Sequence, residues 1–275
     1  MLIGRPLGVL FCALSLAGCA GPRLQIDTRY ESVAQSSRVQ VLVLHYTVGD
    51  FESSLRTLTE GAVSSHYLVD DDPPRIYRLV DEDRLARHAG SSHWAGDTVL
   101  NPASIGIEIV NAGHSGDRFG DYAPYPEAQI DEVIRLVRDI MTRHDIAPHN
   151  VVGHSDIAPQ RKQDPGPRFP WDRLAEEGLI PWPDRQFVAQ RAVEYATALP
   201  DVAWFQAQLD AWGYEVPRHG EFDEETRHVI SAFQMKYRPA RYDGQPDAET
   251  AALLEAVNSP RALLIRRDGQ WQPYR

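Results

Sequence analysis

The chain alternates between short apolar runs of strand length and one long segment with helical spacing. VQVLVLHY (residues 39–46) is a β-branched and leucine run ending in a histidine and a tyrosine. Such a run suits a central strand covered on both faces. SIGIEIVN (residues 104–111) reads as a second buried strand, interrupted by the charge of Glu108. SSHYLVD (64–70) and RIYRLV (75–80) read as two further strands joined by an Asp-Asp-Pro-Pro turn. From Glu127 to Arg143 the apolar positions are Ile130, Val133, Ile134, Val137, Ile140 and Met141. That is the i, i+3, i+4, i+7 spacing of a helix laid on a sheet, here started by Pro126. NVVGH (150–154) then returns to the sheet. The pattern predicts an α/β domain over residues 38–180, a mixed central sheet flanked by helices.

Residues 181–200 read as a linker, with Pro-Trp-Pro at one end and Leu-Pro at the other. Residues 201–260 carry a near-repeat, GEFDEET from Gly220 and GQPDAET from Gly244. Asp223 and Asp247 stand at N-cap positions in the two copies, each followed by acidic residues in the first turn. The stripes Phe205, Leu209, Trp212, then Val229, Ile230, Phe233, then Leu253, Leu254, Val257 predict a compact three-helix unit. Residues 261–275 remain as a C-terminal tail. A chain of 275 residues is long enough for one sizeable core and such a smaller module.

Net charge is −11 and no run of Lys or Arg occurs, which argues against a nucleic-acid partner. In residues 1–18 a single Arg5 precedes an apolar stretch too short to span a bilayer comfortably. Ala17-Gly18 then stand directly before Cys19. This resembles a bacterial lipoprotein signal, cleaved before Cys19 and lipidated on it; an ordinary signal peptide is the alternative. Ala20, rather than Asp, after the cysteine implies the outer membrane of a Gram-negative bacterium, with the protein facing the periplasm. Residues 19–37 would then form the lipidated N-terminus and spacer. Several acyl chains at roughly 0.8 kcal/mol per buried methylene give a stable anchor. Cys12 and Cys19 are the two cysteines, so the folded part offers no thiol, and any metal must be held by His and carboxylate.

With ten histidines, position decides which ones carry chemistry. His45 closes an apolar strand, as a satisfied core residue or as a ligand projecting from the sheet's end. His154 repeats the arrangement after Val-Val-Gly. The proline-braced loop that follows, SDIAPQRKQDPGPRFPW, delivers Lys162 and Asp164. His45, His154 and Asp164 make a set of two nitrogens and one oxygen that suits zinc and leaves a fourth position open for water. Glu108 is costly to bury unless paired. It is either half of a structural ion pair or a general base or acid with a raised pKa. Zinc lowers the pKa of its water from about 15.7 towards ~7, leaving a proton shuttle and an oxyanion cation to be supplied. Glu108 and Lys162 meet those two needs. His88, His93 and Trp94 occupy a loop expected to rim the cleft. His88, Trp94 and Asn111 are candidate substrate contacts. His66 reads as core or support, and His144 and His149 as surface residues.

LHYT around His45, SSHYLV, HAG at residues 88–90, SIGIEIVN and GHSDIAPQRKQDPG occur in the order seen in the zinc-dependent N-acetylmuramoyl-L-alanine amidases of the type-2 family. The resemblance covers residues 38–180 and is nearest to the outer-membrane lipoprotein branch. The tail resembles a three-helix peptidoglycan-binding module. The resemblance implies one Zn²⁺ held by His45, His154 and Asp164, with Glu108 catalytic and Lys162 at the transition state. It also implies peptidoglycan or muropeptides as substrate. A non-catalytic peptidoglycan-binding protein of the same fold is the alternative. Some relatives carry a catalytic tyrosine just ahead of the position matching His66; Ser65 stands there in this chain.

Overall fold

The computed structural model describes residues 24–274, so Cys19 and the signal segment lie outside the described residues. Residues 24–35 carry no helix or strand. The first part of the fold runs β1 (Val41–Tyr46), α1 (Phe51–Glu60), β2 (Tyr67–Val69), β3 (Ile76–Arg78) and β4 (Ser104–Ile109). A small hairpin, β5 (His114–Ser115) and β6 (Asp121–Tyr122), leads to α2 (Glu127–His144). β7 (Val151–Gly153), the one-turn α3 (His154–Ile157) and α4 (Trp171–Glu176) complete it.

The five-stranded sheet has the order β3-β2-β4-β1-β7, with β3 antiparallel to β2 and the other neighbours parallel. β1 is buried along its whole length, as its uninterrupted apolar run predicts. Its even positions, Leu42 and Leu44, face one side with Ile105, Ile107 and Ile109 of β4. There they meet Ile130, Val133, Val137 and Ile140 of α2, the stripe read from the sequence. Val41, Val43 and His45 point to the other side, in register with Ser104, Gly106 and Glu108.

That second face is covered by the C-terminal helices. α6 (Val202–Trp212), α7 (Glu224–Tyr237) and α8 (Ala248–Asn258) are the three predicted from the stripes. Asp223 and Asp247 cap α7 and α8, accepting the N–H groups of Thr226 and Thr250. The repeat extends to buried glutamines. Gln206 bonds Thr226 and Gly220, and Gln234 bonds Thr250 and Gly244 in the same way. Phe205, Leu209, Val229, Phe233 and Leu254 form one hydrophobic core with Val41, Val43, Trp94, Val152 and Ile157. The module is therefore built onto the sheet, not tethered beside it.

Residues 181–200, read as a linker, contain β8 (Trp182–Pro183) and α5 (Arg185–Thr197), capped by Asp184. α5 buries no residue fully, so it has no apolar stripe to betray it. It docks on α8 through Arg191 and Tyr195, which both bond Glu255. In the C-terminal tail, β9 (Leu263–Arg267) pairs with β8 on one side and with β10 (Gln270–Pro273) on the other, in a three-stranded antiparallel sheet.

Candidate active site and metal centre

The register of three parallel strands assembles the site. His45 lies beside Glu108 across the β1–β4 pair, and Leu44 lies beside Gly153 across β1–β7, which brings His154 next to His45. All three side chains thus gather at the carboxyl ends of adjacent strands, where open parallel sheets characteristically bind ligands. His154 itself is the first residue of α3, not the last of the strand as its spacing suggests. Asp164 arrives from the proline-braced loop, held by the hydrogen bond from Ser155 N–H to its own carbonyl at 2.8 Å. Gly153 permits the approach, since a Cβ there would lie 2.7 Å from Pro165 Cδ.

His45 Nδ1, His154 Nδ1 and Asp164 Oδ2 form a compact triangle. His45 Nδ1 is 2.9 Å from His154 Nδ1 and 3.1 Å from Asp164 Oδ2, and His154 Nδ1 is 3.0 Å from the same oxygen. All three residues are buried, and together they form the group among the described residues that is suited to hold a metal ion.

The surrounding hydrogen bonds determine what these atoms carry. His154 Nε2 lies 3.1 Å from the carbonyl of Ala89, which only accepts, so Nε2 holds a proton and, in the neutral ring, Nδ1 keeps the lone pair. Ser104 Oγ donates to Leu100 O at 2.6 Å and therefore accepts from His88 Nε2 at 3.2 Å. His88 Nδ1 then accepts from His45 Nε2 at 3.1 Å, leaving a lone pair on His45 Nδ1 as well. Two imidazole lone pairs and a carboxylate converge, an arrangement that calls for a cation between them. The donor set, two nitrogens and one oxygen without thiol, fits zinc.

Burial, and then the neighbouring His154, lower the His45 pKa to about 4, so His45 is neutral at neutral pH. Burial opposes ionisation of Asp164. His154 and then His45 outweigh it and hold the carboxylate below its ordinary range. Glu108 shows the reverse behaviour. Burial and then the Asp164 charge raise its pKa well above the usual value, with Lys162 opposing. Its Oε2 is buried and has no hydrogen-bond partner among the described residues, so the alternative of a structural ion pair falls away. Lys162 also acts on His45 as a nearby positive charge. A cleft of about 530 Å³ opens onto His45, Glu108, His154, Lys162 and Asp164 together. A larger recess of about 1110 Å³, near Trp171 and Trp182, contains none of these residues.

Of the three candidate substrate contacts, His88 lines the cleft and is also the orienting partner of His45 just described, whereas Trp94 and Asn111 lie outside it. Trp94 is buried beneath the C-terminal module, edge-on to Tyr214, with its indole N–H bonded to Asn150. Asn111 is buried and braces a turn, donating to Pro124 O at 2.9 Å and accepting from Gly113 N–H at 2.8 Å. The expected rim loop is covered because Ala95 N–H bonds Gly213 O of the module. His66 is a core residue, bonded to Gly106 N–H and Arg84 O. His144 is half-buried against Glu82, and His149 bonds Tyr274.

Residues that sequence reasoning missed are Ser104 and Gly106. A Cβ at Gly106 would sit 2.5 Å from the His88 ring, so this glycine forms the floor under it. The signal was present: Ser104, Gly106 and Glu108 share one face of β4, small residues leaving a slot for a large neighbour.

Residues 35–167 match the family described as N-acetylmuramoyl-L-alanine amidase, and residues 199–254 match a putative peptidoglycan binding domain. The chain is 48% identical over 262 residues to N-acetylmuramoyl-L-alanine amidase AmiD of Escherichia coli (strain K12), covering 89% of this chain and 94% of the relative. The chain belongs to the N-acetylmuramoyl-L-alanine amidase family. As an amidase of this family it hydrolyses the amide between N-acetylmuramic acid and L-alanine of the cell wall's peptidoglycan. The fold agrees over most of the chain. The structure of E. coli AmiD with the substrate anhydro-N-acetylmuramic acid-L-Ala-D-γ-Glu-L-Lys superposes with a TM-score of 0.77, covering 85% of this chain and 94% of that one. AmpDh3 from Pseudomonas aeruginosa gives 0.79 at 39% identity, covering 86% and 98%. The 1,6-anhydro-N-acetylmuramyl-L-alanine amidase AmpD of Enterobacter cloacae is 37% identical over 113 residues, 41% of this chain and 56% of the relative.

Proposed function

We propose that this amidase is a zinc enzyme in which His45, His154 and Asp164 are the metal ligands, Glu108 the general base and Lys162 the oxyanion cation. The observation that carries the reading is the convergence of two imidazole lone pairs and a carboxylate beside an unpaired Glu108, all open to one cleft. When bound, zinc supplies Lewis acidity, which makes water nucleophilic near neutral pH and polarises the scissile carbonyl. Glu108 takes the proton from the attacking water and returns it to the leaving L-alanine amine. Its burial beside Asp164 suits that exchange, because a carboxylate with a raised pKa holds a proton more readily than a solvated one. Lys162 places positive charge at the cleft, where the amide oxygen becomes an oxyanion. The Pro-rich loop preorganises Lys162 and Asp164 together.

Muropeptides ending in anhydro-N-acetylmuramic acid are the proposed substrates, in line with the ligand bound to the E. coli relative. The C-terminal module is proposed to bind peptidoglycan, on the strength of its family match. Lipidation at Cys19 would place the protein at the outer membrane, facing the periplasm. Digestion of a defined anhydro-muramyl tripeptide, followed by mass spectrometry, tests the reading. Release of the intact tripeptide is the expected result; cleavage within the peptide, or binding without cleavage, would contradict it.

A further inference from the structure

At the junction between the sheet and the C-terminal helices lies a buried ion pair that the chemistry above does not use. Lys236 on α7 is 5% exposed, and its Nζ donates to Asp156 Oδ2 at 3.0 Å and to Val151 O at 3.1 Å. The Trp171 ring lies 4.2 Å from the same ammonium. Tyr214, just beyond α6, is fully buried and donates its hydroxyl to Asp156 Oδ1 at 2.5 Å. Asp156 is 1% exposed, and its Oδ2 also accepts Gly153 N–H at 2.8 Å. A carboxylate this deep is tolerated because both oxygens are bonded and an ammonium neutralises it.

The place of this cluster gives it a second role. Val151, Gly153 and Asp156 bracket His154, in a segment made of a three-residue strand and one turn of helix. A single helical turn does not support itself, so its direction must come from tertiary contacts. Lys236 grips the strand at Val151 and the turn at Asp156. Its contact with Trp171 reaches the far end of the loop that carries Asp164. Tyr214 holds the other oxygen of the same carboxylate.

We propose that Lys236 and Tyr214 are positioning residues for the metal centre, so that the C-terminal module, acting through Asp156, sets the direction of His154. The module is then part of the site's scaffold, beyond any role in holding the wall. This rests on the reading of His154 as a zinc ligand.

The test compares Tyr214→Phe and Lys236→Met with Tyr242→Phe. The last removes a different hydroxyl at the same interface, one that donates to Gly120 O at 2.9 Å. Competition with a chromophoric chelator gives each full-length chain's zinc dissociation constant, with circular dichroism and melting to verify folding. Hydrolysis of a soluble muramyl tripeptide at saturating zinc separates kcat from KM. Tyr214→Phe is expected to weaken zinc binding about tenfold and Lys236→Met up to about 100-fold. kcat should fall with KM unchanged, while Tyr242→Phe alters neither. Should Lys236→Met not fold, Tyr214→Phe decides alone. Unchanged zinc affinity in folded Tyr214→Phe overturns the proposal, as does an equal loss in Tyr242→Phe. A wild-type chain that binds no zinc would instead overturn the metal reading on which the proposal rests.

Discussion

Glu108 and the histidines around it illustrate how burial selects protonation states. Glu108 is raised by burial and by Asp164, so the metal-free fold prefers its neutral form. Replacing it with the neutral isostere in Glu108→Gln should therefore leave the metal-free chain at least as stable at pH 7, as a urea midpoint would show. The same substitution should lower kcat by about 100- to 10,000-fold, measured as tripeptide release, because the proton shuttle is gone. Near wild-type release would contradict the assignment. His45 has the opposite sign. Its folded pKa of about 4 lies below the ordinary histidine value of 6.5, so the unfolded chain binds a proton that the folded chain refuses. Stability of the metal-free protein should be unaffected by His45 above pH 6.5 and should fall as pH drops from 6.5 towards 4. His88, lowered for the same reason, adds to that loss. Urea midpoints measured from pH 7 to pH 4 on chelator-treated protein check this; a flat profile would contradict the buried, neutral histidines.

The strands position these residues by register, and two glycines let the elements close. At Gly106 a Cβ would meet the His88 ring at 2.5 Å, so Gly106→Ala must displace His88 or bend β4. Overpacking of this kind typically costs about 1–3 kcal/mol. The substitution is also expected to weaken zinc binding, because His88 fixes the His45 tautomer. Thermal melting and chelator competition on Gly106→Ala read the two effects separately. The ligand-bearing elements were legible in sequence because their signals are local: an apolar run ending in His45, a lone charge at Glu108, prolines around Asp164. The placements of Trp94 and Asn111 were not. Each is decided by what covers it, the C-terminal module or a turn, and no local spacing carries that information. α5 escaped notice for a related reason, since a helix that buries no residue fully leaves no stripe.

The whole molecule is organised around one sheet with two covers. α2 covers one face, as its apolar stripe requires. The C-terminal helices cover the other, sharing a core with Val41, Val43 and Val152. The helices and their caps are legible in the sequence, but their docking on the sheet is not, because contacts between distant segments leave no periodic trace. Truncation after residue 200 should accordingly expose an apolar sheet face instead of releasing a free catalytic domain. Aggregation, or loss of a cooperative melt, is the expected outcome on gel filtration and calorimetry. A monomeric truncated chain with the parent's melting temperature would contradict the shared core. The central claim is that one zinc ion, held by His45, His154 and Asp164, makes this fold an amidase. Titrating zinc into chelator-treated protein while following tripeptide release by mass spectrometry tests it most directly. Release should rise from near zero to a plateau at one zinc per chain. Full release before any zinc is added, or a plateau that ignores stoichiometry, would contradict it.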